Sequence, residues 1–262
     1  CTRNVSNIII MTTIELRTPI AVIQGYADML SRWGRDDPQV LTEGLEAISQ
    51  EATNMKALVE DLLFLARHDK KTLMMEISVF DPVDLLQEII REAELVTPSD
   101  TFRLEPAEHL TLQADRNMIK QVIRILLDNA VKYTPDGGMI TMGCQKKEGI
   151  CLLTMRDTGD GISAEDLPHI FDRFYRADKA RKAETGGHGL GLSIARIIVV
   201  AHGGRIRVRS KLQEGTVFTI ELPMEQNASG EKTIQETEHR PRVSYRFRRK
   251  NNEKNEQDEE EP

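Results

Sequence analysis

The chain contains no apolar run approaching the roughly 18 residues that a membrane-spanning helix requires. It shows no secretory leader pattern either. Its cysteines are only Cys1, Cys144 and Cys151, and they have no metal-ligand spacing, which removes a cysteine-held metal centre. Cys144 and Cys151 flank Gly149 in an expected hairpin and read as reduced strand residues of a cytosolic protein. Positive charge is not in excess: 35 Lys and Arg stand against 42 Asp and Glu, a net charge of -7. That balance argues against a large phosphate-backbone interface, so no nucleic-acid partner is expected. What is present is enough for a core. The 262 residues are 39% hydrophobic, which suits one or two folded domains.

Two long helical patterns come first. From about residue 4 to 32, Ile9, Leu16, Ile20, Ile23, Ala27 and Leu30 recur by threes and fours. Pro19 interrupts this pattern. It lacks an N–H and crowds the carbonyl one turn back, at a cost of about 3 kcal/mol or a kink. A Gly-Asp-Pro stretch at residues 33–38 ends the first helix. The second runs to about Asp69, with Leu41, Leu45, Ile48, Ala52, Met55, Val59, Leu62 and Ala66 spaced strictly four-three. One antiparallel hairpin cannot bury both seams, whereas two can as a four-helix bundle. A homodimer is therefore expected, the alternative being a monomeric hairpin packed on a second domain.

Residues 70–79 read as a connector. Helices are expected at 84–95, 116–133 (with Asp115 as N-cap) and 190–201. Strands are expected at 101–104, 110–113, 139–146, 150–156, 205–210 and 216–222. The fold class is α+β: a helical hairpin, then an α/β sandwich with one mixed sheet and helices on one face. From Met224 the chain turns polar. An arginine-rich cluster precedes an acidic end, and residues 224–262 are expected to be disordered.

Three constellations can carry chemistry. Asn129, Lys132 and Tyr133 fall at i, i+3 and i+4 on one helix face. An amide oxygen suits Mg²⁺ and an ammonium suits phosphate, although a solvated helix end has the same composition. Asp157-Thr158-Gly159-Asp160-Gly161 follows a strand. Its glycines permit close backbone approach and a carboxylate can accept from an exocyclic amine, but a tight turn reads the same way. Gly187, Gly189, Leu190 and Gly191 open a helix, where unpaired N–H groups favour phosphate, and a glycine hinge is the competing reading. Between the last two lie Phe171 to Arg176 and the polar residues 177–184, a composition that suits a lid.

In this order and spacing the chain resembles the sensor histidine kinases of two-component systems. Residues 129–134 resemble the N box, 157–161 the G1 box, 171–175 the F box and 187–191 the G2 box of a Bergerat-type ATP-binding domain. Ile14-Glu15-Leu16-Arg17-Thr18-Pro19-Ile20 resembles the phosphoacceptor box, normally His-Glu-Leu-Arg-Thr-Pro-Leu. The resemblance implies a dimerisation and phosphoacceptor hairpin at 1–69, a connector at 70–79, an ATP-binding domain at 80–223 and a charged tail. It implies ATP and Mg as cofactors. Asn129 would hold Mg²⁺, Lys132 a phosphate, and Asp157 the adenine amino group. Tyr133, Gly159, Gly161, Gly187, Gly189, Leu190 and Gly191 would line the nucleotide site. The receiver domain of a response regulator would be the partner, with Ala21, Gly25 and Tyr26 as candidate contacts.

Two departures matter. Ile125 stands one turn before Asn129, where related hydrolases carry a water-activating Glu, so an ATP hydrolase of that class is not expected. Ile14 stands where the family has its phosphorylated histidine, and an alkyl side chain has no nucleophile. None of the six histidines lies on the first helix. His188 falls in the lid, His68 ends the second helix, and His109, His169, His202 and His239 read as surface or turn residues, so none is a candidate acceptor. Self-phosphorylation is therefore expected to fail. Glu15 and Thr18 retain the Glu-x-x-Thr pattern of a response-regulator phosphatase. A non-catalytic ATP-binding dimerisation module is a further alternative. The chain starts with Cys rather than Met, so this cytoplasmic portion is expected to have a longer, membrane-anchored parent.

Overall fold

The computed structural model describes residues 2–33, 37–97, 100–176 and 187–225, with side chains in the first helix at Thr13 and from Glu15 onward. The lid composition at 177–184 and the charged tail beyond 225 lie outside the described residues.

Helices α1 (Thr2–Trp33) and α2 (Pro38–Asp69) form the expected antiparallel pair. α1 continues through Pro19, which is buried. α2 starts cleanly because Asp37 caps it: Oδ1 accepts from Gln39 N at 2.9 Å and Val40 N at 3.3 Å, and Pro38 occupies the first turn. The four-three seam of α2 stays largely open. Leu45 is 53% exposed and Val59 45%. Leu58 and Leu65, off that seam, are instead buried in the core that α2 shares with the α/β part.

The α/β part begins with a correction. The connector contains strand β1 (Ile77–Phe80), which pairs antiparallel with β3 (Leu112–Asp115) as a separate two-stranded sheet. Its exposed residues, including Val79 at 65%, give no burial alternation, so no strand period was visible. The main sheet has five strands in the order β2-β4-β5-β7-β6. These are β2 (Thr101–Leu104), β4 (Met139–Lys147), β5 (Ile150–Asp157), β6 (Arg205–Lys211) and β7 (Gly215–Pro223). β2 lies parallel to β4 and every other pair is antiparallel, so the sheet is mixed, as expected. The fold reaches past residue 223: Gln113 N–H donates to Met224 O at 3.0 Å and Met224 N–H to Gly149 O at 3.1 Å.

Helices α3 (Pro82–Val96), α4 (Arg116–Tyr133) and α5 (Gly191–Ala201) pack together and contact the sheet. Leu86, Ile89, Ile123, Leu126, Ile194 and Ile198 join Ile140, Met142 and Leu222 in one apolar core. Asp115 starts α4 by accepting from Asn117 N and Met118 N at 3.0 Å. Its second oxygen accepts from Glu76 N at 2.8 Å. His202 is a correction: it is fully buried rather than a surface turn residue. Its Nε2 accepts from Asp115 N–H at 3.0 Å, so the ring proton sits on Nδ1, which faces Ile198 O at 2.8 Å. The ring thus joins the end of α5 to the start of α4. Cys144 and Cys151 are free buried thiols on neighbouring strands, 3.8 Å apart.

Candidate functional site

The end of α4, the end of β5 and the start of α5 converge. Asp157 is the last residue of β5 and is only 7% exposed. Its Oδ1 accepts from Gly159 N and Thr216 N, both at 3.0 Å. Burial nonetheless pushes its carboxyl above the ordinary range, against the pull of those backbone donors. A partly desolvated carboxylate, fixed through one oxygen, is suited to recognising an amine that approaches the other.

Gly159 brings the loop after β5 under the end of α4. A Cβ there would run into the Tyr133 carbonyl oxygen. Asp160 N–H donates to that same oxygen at 3.0 Å. Thr134 follows, and its Oγ1 is a buried side-chain oxygen with no hydrogen-bond partner among the described residues. It sits beside Gly138, whose Cβ would also come within 3.3 Å of Thr158 Oγ1. An orphaned buried hydroxyl at this junction is open to a polar partner, a water included.

Asn129 and Lys132 are half-buried on the last turns of α4. Asn129 Nδ2 donates back to Ile125 O at 2.7 Å, which engages the donor end of the amide and leaves its oxygen as the end suited to a hard cation. That one oxygen is of the kind Mg²⁺ takes. Lys132 Nζ lies 5.4 Å from the centre of the Tyr133 ring. Burial raises the Tyr133 phenol pKa, while Arg176 acts in the opposite sense.

The glycine loop closes the third side. A Cβ on Gly187 would lie 3.2 Å from Lys132 Nζ, so loop and ammonium are neighbours. Gly189 has φ of 69°, a left-handed conformation in which a side chain would also meet Phe174 C at 2.8 Å. Phe174 N–H donates to Gly189 O at 2.9 Å, which ties the F-box segment to the glycine loop. Leu190 is buried in the core, and its carbonyl accepts from Ser193 Oγ at 2.7 Å. It therefore offers a ligand no side chain. α5 starts without a side-chain cap, so its first N–H groups are left for another acceptor. Ile125 packs against the core and faces Gly191 with an alkyl side chain that cannot act as a base.

Asn129, Lys132, Tyr133, Asp157, Gly159, Gly187, Gly189 and Gly191 thus lie on adjoining segments, whereas Leu190 is buried in the core and a Cβ on Gly161 would meet Lys211 O instead. The pair on α1 divides. Thr18 is exposed, whereas Glu15 meets the glycine loop through His188, whose Nδ1 is 3.5 Å from Glu15 Oε2. A second tie between hairpin and α/β part is the bidentate pair of Arg173 with Asp69, at 2.9 and 2.8 Å. The hydrogen bond from Arg173 is the main reason the Asp69 carboxyl lies below the ordinary range. Neither tie carries a short-range pattern, because its partners are more than a hundred residues apart in the chain.

Comparison with known proteins agrees with this geometry. Residues 114–226 match the family described as histidine kinase-, DNA gyrase B- and HSP90-like ATPase, and residues 11–71 match the His kinase A phospho-acceptor domain. The first of these families implies ATP binding. The chain is 41% identical over 216 residues to the sensor histidine kinase YkoH of Bacillus subtilis (strain 168), covering 82% of this chain and 47% of that one. It is 38% identical over 211 residues to the histidine-protein kinase ArlS of Staphylococcus epidermidis, covering 80% of this chain and 46% of that one. It therefore spans about half the length of these curated relatives. Among solved structures, the histidine kinase AdeS of Acinetobacter baumannii aligns with a TM-score of 0.64 at 26% identity, over 80% of this chain and 98% of that one. The catalytic domain of histidine kinase ThkA aligns at 31% identity and a TM-score of 0.50, over 57% of this chain and 97% of that one. With both domains matched in order and these relatives alike over most of its length, the chain belongs to the sensor histidine kinase family.

Proposed function

We propose that this chain is the kinase core of a two-component sensor that binds ATP with Mg²⁺ but cannot phosphorylate its first helix. The observation that carries the ATP reading is the convergence of the buried Asp157, the Asn129–Lys132 face and the uncapped start of α5 around Gly159. Asp157 would take the adenine amino group, Lys132 and the α5 amides the phosphates, and Asn129 the metal. When bound, Mg²⁺ would neutralise charge on the phosphate oxygens. Residues 1–69 act as the dimerisation hairpin and 80–223 as the ATP-binding domain. Homodimerisation is supported by the open seam of α2, and a receiver domain is the proposed partner. A solved structure of ThkA in complex with a response regulator, 26% identical and with a TM-score of 0.66, supports that choice. Ala21, Gly25 and Tyr26 on α1 are proposed contacts.

Position 14 is isoleucine, which offers no atom to attack a phosphate. ATP with a labelled γ-phosphate should leave the α1 peptide unlabelled, and Ile14→His should place acid-labile, base-stable label there. Label on α1 of the unaltered chain would overturn the reading. A fluorescent ATP analogue gives binding separately and should require Asp157. Phosphatase action on a receiver domain is a second reading, favoured by the exposure of Thr18 one turn from Glu15. Thr18→Ala should then slow loss of regulator phosphate, and an unchanged rate would count against it.

A further inference from the structure

The imidazole that meets Glu15 comes from the far end of the chain. His188 Nδ1 lies 3.5 Å from Glu15 Oε2, and the two side chains are only 20% and 28% exposed. Asp61 on α2 is close enough to feel the charge of His188, although burial remains the larger influence on its carboxyl. The ring thus faces the Glu15 carboxylate of the hairpin. The same residue stands between Gly187, which neighbours Lys132 Nζ, and Gly189, just before the uncapped start of α5. One imidazole therefore borders the groups suited to hold phosphate and a carboxylate suited to take its proton. A nucleophile beside an oriented base has this geometry, with a distance that is commonly loose before substrate binds.

We propose that His188 is a phosphorylation site of this chain, accepting the terminal phosphoryl group of a bound nucleoside triphosphate. The proposal rests on the ATP-binding reading above. With Nδ1–H directed at Glu15, the Nε2 lone pair attacks the γ-phosphorus. An N–P bond forms, the bond from that phosphorus to the β,γ-bridging oxygen breaks, and its electron pair leaves on the nucleoside diphosphate. The Nδ1 proton passes to Glu15. No oxidant, reductant or further reactant is needed. Sequence alone gave no reason to favour His188 among the six histidines, because Glu15 lies 173 residues away from it.

The test is incubation of the unaltered chain with Mg²⁺ and γ-labelled ATP, followed by peptide mapping and ³¹P NMR. The expected result is acid-labile, base-stable label on the peptide containing His188, with a phosphohistidine resonance. His188→Gln should abolish both signals, and Glu15→Gln should slow labelling by about 100-fold, in the range of a lost general base. Binding of a fluorescent ATP analogue is measured alongside. Analogue bound without label on His188, or label on any other residue, overturns the proposal and leaves the ATP-binding reading standing. No analogue bound overturns both.

Discussion

Gly159 leaves no room for a side chain, because its missing Cβ points at the carbonyl oxygen of Tyr133. Alanine there must push the loop after β5 away from α4 and carry Asp157 with it. Gly159→Ala should weaken binding of a fluorescent ATP analogue by about tenfold or more, roughly 1.4 kcal/mol. Retained affinity would show that the loop and α4 do not act as one surface. Asp157, Asn129 and Lys132 were singled out in the sequence only through the family resemblance of all the boxes together, because their spacing alone fits a solvated helix end or a tight turn equally well. His202 was not. Two glycines after an apolar helix read as an exposed stop, and nothing local told that its ring would reach Asp115. The neighbour of His188 was equally hidden, since Glu15 is brought to it only by folding.

At the scale of the element, α3 and α4 are braced by charges that no single helix displays. Glu88 bonds to both Lys120 and Arg116, and Glu92 to Lys120 and Arg124. The bond to Lys120, then that to Arg116, holds the Glu88 carboxyl down from 4.5 to about 2. A carboxyl with a lower pKa folded than unfolded stabilises the fold above its unfolded value. That support is lost as the pH falls from 4.5 toward about 2. Glu88→Gln should therefore lower the thermal midpoint slightly near neutrality, as befits an exposed pair. The difference from the unaltered chain should vanish as the pH is taken down through that window. A gap that persists at the acid end would assign the effect to packing. The elements themselves were largely legible. α4 began where Asp115 predicted, and β2 lay at the expected residues, whereas β1 was missed because an exposed strand has no apolar period.

At the scale of the whole molecule, the hairpin divides its apolar surface between two partners. Leu58 and Leu65 are buried with the α/β part, while Leu45 and Val59 stay open, Val59 lining a groove with Ile23, Ala52 and Met55. If that groove is the dimer face, the double substitution Leu45→Lys and Val59→Lys should convert a dimer to a monomer in sedimentation. Nucleotide binding, proposed for residues of α4, the loop after β5 and the start of α5, should survive. A dimer that resists both lysines would place its interface elsewhere. The sequence by itself determined the order of the elements other than β1, the residue types of the proposed nucleotide site and the lack of a nucleophile at position 14. Those follow from short-range spacing and from the chemistry of single side chains. Only the tertiary structure decided that α2 turns Leu58 rather than its regular seam to the core. It alone decided that Arg173 grips Asp69 and that an imidazole from the glycine loop stands against Glu15. Contacts between residues a hundred or more positions apart leave no local period, so packing had to bring them together before they could be seen.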